Sequence, residues 1–161
     1  MYDAKSESYQ LVAVIADITK RKLAEARIQE MAQHDVLTGL PNRALFSDRT
    51  QQALAIAHRE KMRPALLFLD LDGFKLVNDT FGHAIGDLLL KEVANRVLRC
   101  VRQSDTVGRI GGDEFVILLM GMETERSALA VAEKIRGEIR SPYGIEGLRL
   151  SISSSIGISI Y

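Results

Sequence analysis

The sequence predicts an α+β fold: a ferredoxin-like central antiparallel sheet with flanking helices, its elements in the order βα-ββαβ. Three observations predict it. Residues 107–119 read VGRIGGDEFVILL, two apolar runs around Gly111-Gly112-Asp113-Glu114, which is the pattern of a β-hairpin with glycine in its turn. Residues 65–71 form another strand-like run, opened by Pro64 and carrying Asp70 and Asp72 at its end. Apolar residues recur at helical spacing on both sides of the hairpin: Leu89, Val93, Val97 and Val101 before it, and Ala128, Val131, Ala132, Ile135 and Ile139 after it.

From the N-terminus, residues 8–17 read as one strand stopping at Asp17, with no partner nearby in the sequence. Residues 18–34 turn helical, with Leu23, Ala24, Ile28 and Met31 forming a thin apolar stripe. That width suits a coiled-coil seam or a solvated connector. Residues 38–42 form a loop whose Asn42 is a helix N-cap. The next helix reaches about residue 61 and is expected to bury Leu45, Phe46, Ala53, Ile56 and Ala57. After the strand at 65–71 comes a short helical turn, broken over 82–86, and Asp87 begins the long helix. The hairpin and the helix at 124–140 follow. Pro142, Gly144 and Gly147 make a turn, and 148–161 alternates as a strand.

The 161 residues suffice for one domain with a real core and a short extra segment. Lys+Arg and Asp+Glu stand at 21 each, so bulk charge does not call for nucleic acid, and a small charged ligand must be held by local groups. Cys100 is the one cysteine, which excludes an internal disulfide, and its helical spacing from Val93 and Val97 makes it a core residue. His34, His58 and His83 lack metal-ligand spacing. Phe74, Phe81 and Phe115 read as core. Lys20, Arg21 and Lys22 read as a solvated helix face without a membrane role. With no signal peptide and no apolar run of bilayer length, the segment is expected to be cytoplasmic, though a parent chain could be membrane-tethered.

Asp70 and Asp72 share a D-x-D spacing, which on a strand points both the same way. A calcium loop starting at Asp70 fails, because Phe74 and Lys75 stand where an acid or Asn and a Gly are needed. No P-loop pattern exists. Carboxylates without a His or Cys cluster favour Mg²⁺ or Mn²⁺ over zinc, and Mg²⁺ works with one or two carboxylates plus substrate phosphates. Lys75 supplies the charge a triphosphate needs. Asp87 can accept the paired N–H donors of a guanine edge, and Asn78 can add an amide contact.

Gly111-Gly112-Asp113-Glu114-Phe115 resembles the signature of GGDEF-domain diguanylate cyclases. The run from Asp35 to Arg43, DVLTGLPNR, is similar to that family's opening motif, and the run from Asp70 to Asp87, DLDGFKLVNDTFGHAIGD, to its nucleotide-binding stretch. The likeness spans 35–161 and implies a palm-type sheet. It implies Asp70 and Asp113 as metal ligands with the Leu71 carbonyl assisting. Glu114 would support the metal or help activate the attacking hydroxyl, and Asp113, Glu114 and Lys75 make up the catalytic set. Lys75 and the backbone at Gly73 and Phe74 would hold phosphates, Asn78 and Asp87 would read guanine, and Gly111 and Gly112 would admit the nucleotide. The implied reaction joins two GTP across a homodimer into cyclic di-GMP and two pyrophosphates, with Mg²⁺ or Mn²⁺. Arg102 and Asp105 resemble the family's R-x-x-D site for product inhibition; the plainer reading is a charged helix end.

Residues 1–17 resemble the end of a PAS-like sensor domain, with 18–34 its outgoing linker helix. The family pattern continues with a further helix and strand, including a Lys and an Arg on the phosphates. The sequence stops at Tyr161 before them, which is expected to leave an apolar face exposed and triphosphate binding weak. Three functional readings follow: an active cyclase controlled by an upstream sensor; a catalytically silent module that binds GTP or cyclic di-GMP and tunes a fused phosphodiesterase; and a dimerisation unit. The intact Asp70, Lys75, Asp113 and Glu114 favour the first.

Overall fold

The computed structural model describes Thr19 and residues 32–122 and 124–161. The sensor remnant expected over 1–17 lies outside the described residues. The linker helix expected over 18–34 meets them only at Thr19, Ala32 and Gln33, which are helical, and at His34.

Asn42 caps α1 (Arg43–Glu60), its side chain accepting from the Ala44 and Leu45 amides. The helix stops where Lys61 turns left-handed (φ 54°) and its N–H bonds back to Ala57. Phe46, Ala53 and Ala57 face inward. Ile56, expected to be buried, is 38% exposed, because the next residue, Ala57, sits on the inner stripe and Ile56 falls about 100° away. Leu45 is half-buried.

The chain continues through β1 (Ala65–Asp72), α2 (Phe74–Phe81), α3 (His83–Cys100), β2 (Thr106–Gly111), β3 (Glu114–Leu119), α4 (Glu125–Arg140), β4 (Tyr143–Ile145), β5 (Leu148–Leu150) and β6 (Ser153–Ile160). The main sheet has the order β2-β3-β1-β6, with every neighbouring pair antiparallel, as the α+β ferredoxin-like reading expects. On β1, Ala65, Leu67, Leu69 and Leu71 point into the core beneath α3 and α4, joined there by Leu89, Val93, Val97, Phe115, Ile117, Ile135 and Ile139. Cys100 is in this core, as expected, and burial pushes its thiol pKa up.

The other face of β1 carries Leu66, Phe68, Asp70 and Asp72, apolar at one end and acidic at the other. α1 covers this face over β3, where Phe46 and Ala53 pack with Val116 and Leu118. Phe68 on β1 is 50% exposed.

Two boundaries differ from expectation. The long helix begins at His83 rather than Asp87: only Gly82 (φ 85°) interrupts the chain after α2, and Gly86 is an ordinary helical residue. It ends at Cys100, so Val101 lies beyond it, extended and half-buried. The C-terminal strand is split, since β4 and β5 form a separate hairpin. Its turn residues Glu146 (φ 49°) and Gly147 (φ 78°) both take positive φ, the geometry whose twist matches a two-residue hairpin. Phe81, expected in the core, is 43% exposed at the end of α2, while Phe74 and Phe115 are buried. No helix among the described residues is long and apolar enough to cross a membrane.

Candidate active site

β1 and β3 are neighbours, and their register places Asp70 directly opposite Glu114. That pair is the last on this side. On the other side β6 runs on to Asp72–Ser153, so the edge of Leu71 and Asp72 that faces β3 has no strand partner. The Leu71 side chain is buried, which leaves its backbone as the part of the residue that can serve a ligand.

Across the hairpin, Arg109 pairs with Phe115 and Gly111 with Glu114; the register shifts between them, and Gly112 and Asp113 form the tip. Gly112 has φ 28°, a conformation that favours glycine. A bulge bends the strand at this point, and Asp113 at the tip lies near enough for its charge to act on Asp70. Burial raises the Asp70 carboxyl above the usual range, and the charges of Asp113, Asp72 and Glu114 add to the rise. Among the described residues, neither Asp70, Asp113 nor Glu114 has a cation or a hydrogen-bond donor of its own. Asp70 and Glu114 line a cavity of about 100 Å³ with Phe68, Leu69, Ile110 and Phe115.

Carboxylates gathered at a strand end can take part in holding a divalent cation, and hard oxygens suit Mg²⁺ or Mn²⁺. Among the described residues no three His, Cys, Asp or Glu side chains form a ready-made cage. A cation that draws part of its shell from substrate phosphates needs none.

Directly after Asp72 the chain turns at Gly73 (φ 82°) and enters α2, which has no side-chain cap. The first-turn N–H groups around Phe74 and Lys75 therefore lack intrahelical acceptors and sit at the positive end of the helix. A helix start of this kind can receive an anion, and Lys75 next to it is exposed.

Further along α2, the Asn78 Oδ1 is buried without a hydrogen-bond partner. It lies against α3 at Gly86, where a Cβ would stand 1.9 Å from that oxygen. Asp87 is the next residue and is exposed. The fold thus sets Asn78 against Gly86, the sequence neighbour of Asp87, and leaves the Asn78 amide oxygen unsatisfied.

Arg102 and Asp105 close a tight turn before β2. The Arg102 amide donates to Asp105 Oδ2 at 2.8 Å and the Met120 amide to Oδ1 at 3.1 Å. The Arg102 side chain is exposed. This turn lies at the opposite end of β2 from Gly112, about 20 Å away at ~3.4 Å per strand residue.

Three groups escaped sequence reasoning. Arg109 donates through Nε and Nη2 to the Gly112 carbonyl (3.0 and 2.7 Å) and through Nη1 to Asp35 Oδ1 (2.8 Å). Asp35 also accepts from the Thr38 amide and hydroxyl. Its D-x-x-T spacing is a local signal of such a turn. Ser153 and Ser155 both donate to Asp72. Gly86 makes room for Asn78, and nothing local to the sequence marks that role.

The sequence model for the diguanylate cyclase GGDEF domain matches residues 32–161. The bifunctional diguanylate cyclase/cyclic di-GMP phosphodiesterase MucR of Pseudomonas aeruginosa is 50% identical over 138 residues, covering 86% of this chain and 20% of MucR. The chain thus spans about a fifth of that relative's length. The solved GGDEF domain of TpbB from Pseudomonas aeruginosa is similar with a TM-score of 0.78 and 43% identity, covering 80% of this chain and 75% of that one. The coiled coil and GGDEF domain of DgcB from Caulobacter crescentus, solved with cyclic di-GMP, has a TM-score of 0.80 at 28% identity, covering 90% of this chain and 78% of that one.

Proposed function

The chain belongs to the GGDEF-domain diguanylate cyclase family, and we propose that its site joins two GTP molecules into cyclic di-GMP and two pyrophosphates. The observation that carries this reading is the Asp70–Glu114 cross-strand pair, with Asp113 at the adjoining tip and no cation among the described residues to neutralise them.

Asp70 and Asp113, with the Leu71 carbonyl, hold Mg²⁺ or Mn²⁺, and Glu114 supports it. When bound, the cation neutralises charge on the triphosphate and polarises the α-phosphorus for attack. The start of α2 and Lys75 bind the phosphates. Asn78 and Asp87 select guanine, Asp87 accepting from its paired N–H donors. Gly111 and Gly112 let the backbone pass close to the nucleotide. Each 3′-hydroxyl attacks the other nucleotide's α-phosphorus. A P–O bond forms, the bond to pyrophosphate breaks, and the hydroxyl proton leaves toward Glu114. One protomer holds one GTP, so two must face each other. GTP supply makes the cytoplasm the working compartment.

Incubation with GTP and Mg²⁺ tests this. Cyclic di-GMP should form, and Asp113→Ala should abolish it while the circular dichroism stays native; an active Asp113→Ala protein overturns the metal assignment. Arg102 and Asp105 form the product-inhibition site, set apart so that product and substrate bind without overlap. Arg102→Ala should weaken cyclic di-GMP binding about tenfold or more, as loss of a charged fork implies, and unchanged affinity refutes the site. The similarity to the cyclic di-GMP phosphodiesterase PdeR of Escherichia coli, 38% identical over 151 residues, favours a second reading, in which the domain binds nucleotide to regulate a fused phosphodiesterase. GTP binding without product formation would select it.

A further inference from the structure

We propose that Asp72 is a positioning residue: Ser153 and Ser155 hold its carboxylate, and this clamp fixes the turn that presents the phosphate-binding start of α2. The inference rests on the cyclase reading for the turn's purpose and on geometry for the clamp itself.

The two acids of the D-x-D pair have different surroundings. Asp70 has no donor among the described residues. Asp72 has both oxygens occupied, Oδ2 by the Ser153 hydroxyl at 2.8 Å and Oδ1 by the Ser155 hydroxyl at 2.9 Å. The serines lie on β6, where Ser153 pairs with Asp72 and Ser155 with Asp70, so one hydroxyl bonds straight across and the other diagonally. Asp72 is also the last residue of β1, at a point where β3 has already left the sheet edge. The next residue, Gly73, has φ 82°, and α2 begins after it without a side-chain cap.

β6 is therefore the one strand that still grips the chain there, and the two hydroxyl bonds continue that grip onto the side chain. A carboxylate whose two oxygens each accept a hydroxyl has less lone-pair capacity to offer a cation. Asp70 is left to the metal. The direction in which α2 departs, and with it the aim of the Phe74 and Lys75 amides, follows from the anchored Asp72.

The test is the Ser153→Ala/Ser155→Ala double variant, with Ser153→Thr/Ser155→Thr as the rescue, since threonine keeps the hydroxyl and suits a strand. Two readouts are needed. The first is amide hydrogen exchange of nucleotide-free protein at Val77, whose N–H bonds back to the Gly73 carbonyl. Exchange should speed up about tenfold in the alanine variant and return to normal in the threonine variant, a factor typical of losing hydrogen bonds to a charged group. The second is kinetic. KM for GTP should rise about tenfold, with kcat within about threefold and the half-saturating Mg²⁺ concentration within about twofold.

Unchanged exchange overturns the clamp, and so does faster exchange with an unchanged KM. A raised Mg²⁺ requirement with normal exchange overturns it too, because Asp72 would then be a metal ligand. If the unsubstituted protein takes up no GTP, the cyclase reading fails, and the amide readout alone decides the clamp.

Discussion

The Arg109 guanidinium lies 2.8 Å from the Asp35 carboxylate and joins points 74 residues apart in the chain. The same guanidinium donates twice to the Gly112 carbonyl, so it ties the loop before α1 to the tip that carries Asp113. The side chains are 11% and 23% exposed, which removes most of the screening that weakens surface pairs.

Arg109→Ala should lower stability by about 2–3 kcal/mol, short of the full penalty for a completely buried pair. It should also reduce turnover at least about tenfold, because the tip loses both of its side-chain donors. Arg109→Lys should behave much like it, since an ammonium cannot reach both acceptors in one plane. Urea unfolding and a GTP turnover assay check this. Burial alone pushes the Asp35 carboxyl up, but the Thr38 and Arg109 hydrogen bonds outweigh it and hold it below the usual range. A depressed carboxyl contributes stability that is present above the unfolded carboxylate's value and lost as pH falls through the folded one. Acid unfolding below about pH 4 should thus lose this contribution, and Asp35→Asn should flatten that part of the profile.

Asp70 shows the reverse arrangement, with burial and three neighbouring acids working against its charge. Asp70→Asn should raise the melting temperature of the metal-free protein and abolish the rise that Mg²⁺ gives the unsubstituted protein. Thermal melts with and without Mg²⁺ decide it. A variant that keeps the full Mg²⁺ shift would remove Asp70 from the metal site.

Gly86→Ala sets two effects against each other. In a helix interior alanine is favoured over glycine by about 0.5–1 kcal/mol. Here its Cβ would stand 1.9 Å from Asn78 Oδ1 and 3.0 Å from Asn78 Cγ. The short Asn78 side chain must swing away, so stability should change little while GTP affinity falls about tenfold. Discrimination against ATP should fall with it, measurable by competitive binding.

Arg96 braces the far end of the core. Its guanidinium lies 3.6 Å from the centroid of the Tyr143 ring and donates to the carbonyls of Glu138, Ser141 and Pro142. Arg96→Lys should cost about 2–3 kcal/mol in urea unfolding, the range of a lost network of charge-assisted bonds. Burial pushes the Tyr143 phenol up to about 12. An acid raised in the folded state stabilises below its unfolded value and loses that contribution as pH rises through the folded one. The protein should therefore weaken between pH 10 and about 12, and Tyr143→Phe should remove that dependence.

Much of this could be read along the chain. The Asn42 cap, the alternation of β1, the inner stripe of α4 and the glycine turn of the hairpin are local patterns, and local patterns fix elements and faces. Ile56 and Phe81 stand outside the core because apolar character alone does not decide whether a neighbouring layer reaches a residue. α3 starts earlier than its sequence suggests because Gly86, a breaker by type, sits inside the helix where its missing side chain makes room for Asn78.

Residue type and spacing along the chain set the chemistry on offer: acids at the end of β1 and at a glycine tip, a lysine beside them, an amide and a carboxylate farther on. Folding chose the partners. Asp70 opposite Glu114, Asp35 under Arg109 and the two serines on Asp72 each depend on strand order and register. Those arise from pairing between distant segments whose energetics no short window contains.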